Sequence, residues 1–110
     1  DGRFVFKHAV LRLQEAVREA LVTNGLEVED VKLLILHQAN LRIAEAVVHL
    51  LKISPDRVFN NIQFYGNTTA ASIPIALDEA VREHRVKEGE IVVLAAFGSG
   101  FTWGATVLRW

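Results

Sequence analysis

The sequence predicts a layered α/β unit. Three observations carry that expectation. Helix-like and strand-like apolar patterns alternate from end to end, no stretch reads as a linker, repeat or low-complexity tract, and only a tight glycine turn separates the last two strand patterns. In the first segment Phe6, Ala9, Val10, Leu13, Ala16, Val17, Ala20 and Leu21 recur at helical spacing, and Asn24-Gly25 is its stop signal. Val31 to Leu36 (VKLLIL) is a short apolar run suited to a buried strand. From Leu41 to Lys52 the polar residues are Arg42, Glu45, His49 and Lys52, all on one narrow face, so a helix buried on most sides is expected.

Ser54-Pro55-Asp56 opens a turn, and Val58 to Tyr65 alternates as a strand does. Gly66-Asn67-Thr68-Thr69 leads into a helix over Ala70 to Arg85, with Pro74 near its first turns, where a missing N–H costs least. Lys87-Glu88-Gly89 ends that segment, and Ile91 to Phe97 is apolar throughout, as a central strand would be. After Gly98-Ser99-Gly100, Phe101 to Trp110 reads as a final strand. The connection is too short for a crossover, so this strand is expected to run antiparallel to its predecessor.

Composition narrows the possibilities. At 12.3 kDa the chain supports one domain, residues 1–110, whose folding would bury about two-thirds of roughly 18,000 Å². Hydrophobic residues make up 51% and the mean hydropathy is +0.25, apolar for so small a unit, so part of its surface is expected to meet another protein surface. Twelve basic and 13 acidic residues leave a net charge of −1, no electrostatic footprint for nucleic acid or an anionic membrane. No apolar run approaches the ~18 residues of a membrane span, and the N-terminus lacks a signal-peptide layout; a cytoplasmic protein is expected. The absence of cysteine removes disulfides, thiolate metal sites and a cysteine nucleophile from this chain. Methionine is also absent, even at position 1, which points to a processed chain or, the expectation here, a piece of a longer one.

The chemically useful polar residues cluster just after strand patterns end: His37-Gln38-Ala39-Asn40, Gly66-Asn67-Thr68 and Gly98-Ser99-Gly100. In open α/β sheets ligands bind beyond the carboxyl ends of the strands, where helix N-termini also present free N–H groups. His37 is either a buried histidine satisfied by a backbone carbonyl or a neutral imidazole donating to a developing oxyanion. A helix N-terminus disfavours the imidazolium and so suits the second role. Asn40 and Asn67 fit helix caps equally well. Gly98-Ser99-Gly100 fails as a dinucleotide fingerprint, because the next glycine, Gly104, comes one place late and a strand follows. It also lacks the strand-to-helix elbow of a nucleophilic serine. What remains is a tight turn whose backbone N–H could serve as an oxyanion donor. His8, His37, His49 and His84 are too scattered for metal chemistry, and Glu45 with His49 reads as a helix surface pair. Arg82-Glu83-His84-Arg85 reads as a solvated helix end.

Three motifs, in order and separation, resemble the beta-ketoacyl-acyl-carrier-protein synthase III family: His37-Gln38-Ala39-Asn40-Leu41-Arg42-Ile43, then Gly66-Asn67-Thr68-Thr69-Ala70-Ala71-Ser72, then Phe97-Gly98-Ser99-Gly100-Phe101-Thr102-Trp103-Gly104. The resemblance runs from Phe4 to Trp110 but covers only the C-terminal portion of such an enzyme. It implies the C-terminal half of a thiolase-like fold, in which two similar α/β halves pack together, usually as a homodimer. It implies transfer of an acyl group from acyl-CoA to a cysteine, then condensation with malonyl-acyl carrier protein and loss of carbon dioxide, with these thioesters as substrates and no cofactor.

The family's active site is Cys, His and Asn. His37 matches the His and Asn67 the Asn, while the cysteine belongs to the N-terminal half, which is absent here. Gly98, Ser99 and Gly100 match the turn expected to supply an oxyanion donor; the family often has glycine or alanine where this chain has Ser99. Arg42 matches a position implicated in docking acyl carrier protein, and Gln38, Ala39, Asn40 and Leu41 would line the same entrance. The implied partners are therefore the N-terminal half, acyl carrier protein, a CoA thioester and a second copy. Two competing readings are a non-catalytic CoA- or carrier-binding domain and a serine hydrolase using Ser99 with His37.

Overall fold

The computed structural model describes residues 2–36, 41–59, 72–98 and 102–110. Helix α1 (Gly2–Thr23) buries Ala9, Val10, Leu13, Ala16, Val17 and Leu21, the stripe its periodicity predicts. It stops at the expected signal: Gly25 takes φ +67° and the Leu26 N–H donates to the Leu21 carbonyl at 2.8 Å. Glycine adopts this left-handed closure at little steric cost. A 3₁₀ turn at Val28–Asp30, in which the Glu27 N–H donates to the Asp30 carboxylate at 2.8 Å, then feeds β1 (Val31–Leu36).

Helix α2 (Leu41–Leu51) is followed by a 3₁₀ turn at Pro55–Arg57 and by β2 (Val58–Phe59). Residues 60–65 of the strand expected over Val58 to Tyr65 lie outside the described residues. Helix α3 (Ser72–Arg82) ends three residues before the Arg85 expected, while Ala70 and Ala71 lie outside the described residues. Its C-terminal end is set by His84, which takes φ 58° while the Arg85 N–H donates to the Ala80 carbonyl at 2.9 Å. Strands β3 (Ile91–Gly98) and β4 (Thr102–Arg109) complete the order.

The sheet runs β2-β1-β3-β4. β1 is parallel to β2 and β3, whereas β3 and β4 are antiparallel as expected. The β1–α2–β2 crossover moves one way along the sheet and β2–α3–β3 moves back, so right-handed connections place α2 and α3 on opposite faces. The packing agrees. On one face Val31, Leu34, Leu36, Val93 and Ala95 meet α1 and α2 through Leu13, Val17, Leu21, Val47 and Leu51. On the other, Leu33, Ile35, Phe59 and Val92 meet Ala76 and Ala80 of α3.

Two expectations need correction. α2 is not buried on most sides: Ala44, Val47 and Leu51 are buried, but Leu41 and Leu50 are each 41% exposed. α2 meets α1 and the sheet on one flank, and among the described residues no layer covers the other. Nor is the segment from Arg82 to Arg85 uniformly solvated. Arg82 pairs with Asp78 at 3.0 Å on the surface. The Arg85 guanidinium lies 5.3 Å from the Phe59 ring centroid and donates to the Asp56 carbonyl at 2.8 Å, tying the end of α3 to the turn before β2. Among the described residues no helix is long and apolar enough to cross a membrane.

Candidate active site

Register determines where the three motif-bearing junctions begin. Ile35 pairs with Phe59 and Leu36 with Ala95, both in parallel ladders, so the carboxyl ends of β1, β2 and β3 share one edge of the sheet. Residues 37–40 follow Leu36, residues 60–71 follow Phe59, and residues 99–101 follow Gly98. The three motif-bearing segments therefore follow described strands that point toward one edge. Crossover helices between parallel strands run back from the edge where the strands end, so α2 and α3 begin there, with their positive dipole ends.

Helix α1 also begins at this edge, which its sequence did not disclose. It leads through Val28–Asp30 into the start of β1, so its C-terminal end lies at the opposite edge. Two contacts confirm that α1 and α2 run side by side in the same direction. The Arg42 guanidinium, in the first turn of α2, lies 5.7 Å from the Phe6 ring centroid near the start of α1. At the far end Arg18 Nη2 donates to the Leu50 carbonyl at 3.0 Å.

Of the residues singled out from sequence, Leu41, Arg42 and Gly98 are described. Leu41 and Arg42 open α2 and are exposed. Gly98 belongs to β3, where it pairs with Thr102, so the strand extends one residue further than expected and the connection is residues 99–101. His37, Gln38, Ala39, Asn40, Asn67, Ser99 and Gly100 lie outside the described residues. Beside Gly98 the register partners Phe97 and Trp103 stack with centroids 6.2 Å apart, and the Arg12 guanidinium sits 5.3 Å from the Trp103 ring. This brace holds the hairpin against α1. Trp103 lies within the third motif, but Phe6 and Arg12 carry no sequence signal of a site, because no spacing rule reports that α1 borders α2 and β4.

A groove of about 780 Å³ runs along α2 toward the turn before β2, lined by Ala44, Glu45, Val48, His49, Lys52 and Val58 among others. Glu45 and His49 share its wall, but no metal-binding group of His, Asp and Glu exists among the described residues.

The arrangement is that of a thiolase-like α/β unit. The family described as 3-oxoacyl-[acyl-carrier-protein (ACP)] synthase III C terminal matches residues 21–110. Beta-ketoacyl-[acyl-carrier-protein] synthase III of Desulfotalea psychrophila is 51% identical over 110 residues, covering 100% of this chain and 34% of that protein. The 3-oxoacyl-[acyl-carrier-protein] synthase III structure from Aquifex aeolicus superposes with a TM-score of 0.97 at 51% identity, over 100% of this chain and 36% of that one. The corresponding Thermus thermophilus structure gives 0.97 at 49% identity, over 100% and 34%. The chain belongs to the synthase III C-terminal family, and it spans about a third of the length of the curated relatives it matches.

Proposed function

We propose that this chain is the C-terminal portion, as a single domain, of a decarboxylating condensing enzyme that joins an acyl-CoA-derived starter to malonyl-acyl carrier protein in fatty acid initiation. The observation that carries the reading is the common edge toward which the strands preceding His37, Asn67 and Ser99 in the sequence point, in a chain whose family membership is shown.

Cleavage of the malonyl C–C bond releases carbon dioxide and leaves its electron pair as an enolate whose charge collects on the thioester oxygen. The His37 imidazole N–H and the Asn67 amide donate hydrogen bonds to that oxygen. The enolate carbon then forms a C–C bond with the carbonyl carbon of an acyl-cysteine, and the C–S bond breaks to return the thiolate. A backbone N–H of the Gly98, Ser99 and Gly100 turn holds the tetrahedral oxyanion in between. The cysteine comes from the N-terminal portion, so the 110-residue chain alone is inactive. Arg42, with Gln38, Ala39, Asn40 and Leu41 at the entrance, meets the acidic carrier and the phosphate of its arm. No cofactor enters any step.

The test is made in the complete enzyme. His37→Ala is expected to lower malonyl decarboxylation by about 10²–10³-fold, with acyl transfer from acyl-CoA to the cysteine much less affected. Equal loss in both half-reactions would make His37 structural and overturn its assigned role.

A further inference from the structure

We propose that Trp103 is a positioning residue for the oxyanion step: stacked on Phe97 across the β3–β4 hairpin, it fixes the two strand ends that residues 99–101 connect. This rests on the proposed reading of Gly98, Ser99 and Gly100 as the source of a backbone donor to the tetrahedral oxyanion.

The end of the hairpin is built from small residues. Ala95 pairs with Ala105, Ala96 with Gly104 and Gly98 with Thr102, so of these last four rungs only Phe97 with Trp103 joins two large side chains. Alanine and glycine offer little cross-strand surface, and glycine inside a strand weakens it. The two rings lie with centroids 6.2 Å apart and planes 17° apart, the offset-stacked geometry that aromatic pairs favour. Phe97 packs against the core shared by α1, α2 and the sheet, whereas Trp103 is 45% exposed. Phe97 is therefore the seated ring and Trp103 the one laid over it. The stack lies one rung from Gly98 and Thr102, where it opposes slip and fraying of the strand ends. The Arg12 guanidinium, held by the Glu15 carboxylate at 2.9 Å, adds a contact from α1 to the same indole. A donor aimed at an oxyanion contributes fully only when fixed in place, and a misplacement of ~1 Å can cost ~10²-fold. Acyl transfer to the cysteine and condensation both pass through a tetrahedral oxyanion, whereas decarboxylation relies on His37 and Asn67 in the proposed mechanism. Loosening the hairpin end should thus separate the half-reactions in the sense opposite to His37→Ala.

The test uses the complete enzyme. Acyl transfer from acyl-CoA to the cysteine and carbon dioxide release from malonyl-acyl carrier protein are measured separately, alongside amide hydrogen exchange. Trp103→Leu is expected to slow acyl transfer about tenfold and to leave carbon dioxide release within about twofold of the wild type. Exchange should rise in residues 95–98 and 102–105 while β1 keeps its protection. Trp103→Phe retains a ring and is expected to recover most of the acyl-transfer rate. Equal slowing of both half-reactions, unchanged acyl transfer, or unchanged exchange at the hairpin end would each overturn the positioning role and leave the proposed function standing. If the wild-type enzyme takes no acyl group from acyl-CoA, the proposed function fails and this inference fails with it. Should Trp103→Leu not fold, Trp103→Thr removes the ring with a residue suited to a strand and is judged by the same criteria.

Discussion

The two faces of the sheet are covered unequally. One face meets two helices: α1 lies over β3 and β4 and alongside α2, and Val31, Leu34, Leu36, Val93 and Ala95 are all buried beneath them. On the other face α3 packs chiefly over β1, sealing Leu33, Ile35 and Phe59. Across β3 and β4 that second face continues with Leu94 and Leu108 only half-buried and Thr106 exposed. Apolar side chains on a strand repeat every second residue whether or not anything covers them, so the pattern of β4 announces a core that the described residues complete only in part. A unit that spans a third of its relatives and whose described residues leave an apolar half-face open has the surface expected of one part of a larger protein.

The contrast is measurable. Leu34→Ala, beneath α1 and α2 and fully buried, is expected to destabilise the chain by about 3–5 kcal/mol in urea unfolding. Leu94→Ala, on the open half-face, is expected to cost under about 2 kcal/mol in the same chain, because water already reaches part of the side chain. In the full-length parent the two costs should converge if the remaining sequence covers that face. Equal costs already in the 110-residue chain would mean that the open face is closed without it.

A smaller effect tests the tie between α3 and β2. Arg85→Ala removes both the contact with the Phe59 ring and the hydrogen bond to the Asp56 carbonyl, and a loss of about 1–2 kcal/mol is expected. Arg85→Lys should recover only part of it, since an ammonium cannot offer a planar face and a directed donor together. Full recovery by lysine would reduce the contact to simple charge.

The smallest effect concerns the turn that leads into β2. The Ser54 hydroxyl donates to the Asp56 carboxylate and, with the backbone N–H of Asp56, holds its pKa below the ordinary value. A depressed folded pKa stabilises the fold above the unfolded value of about 3.9, and that contribution is lost as pH falls through the folded pKa. Ser54→Ala should move the Asp56 carboxyl titration, followed by NMR, back upward. An unmoved titration would assign the shift to the other groups near the turn.

Much of this organisation was legible beforehand, for identifiable reasons. The bounds of β1 follow from an uninterrupted apolar run, and the end of α1 from Asn24-Gly25, where glycine supplies a left-handed residue at little cost. The ends of α2 and α3 are built the same way but on Lys52 at φ 56° and His84 at φ 58°. Those residue types carry no stop signal, so the close of α3 was expected three residues late. The candidate site divides similarly. Residue identity and order mark His37, Asn67 and the Gly98 turn, whereas Phe6 beside Arg42 could not be read, because contact between α1 and α2 is a matter of docking.

The sequence by itself determined which segments become helices and strands, that the last two strands form a hairpin, and which family motifs the chain carries, since each depends on local periodicity, turn chemistry or residue identity. Only the tertiary structure decided the β2-β1-β3-β4 order, the covered and open halves of the second face, and the parallel seating of α1 against α2. It also decided the irregularity at Lys32, which lets Val31 and Leu34 share a face despite their odd spacing. The physical reason is common to all four. Register and docking are chosen by which arrangement buries the most apolar surface against a particular neighbour, and a neighbour distant in sequence leaves no mark on the local pattern.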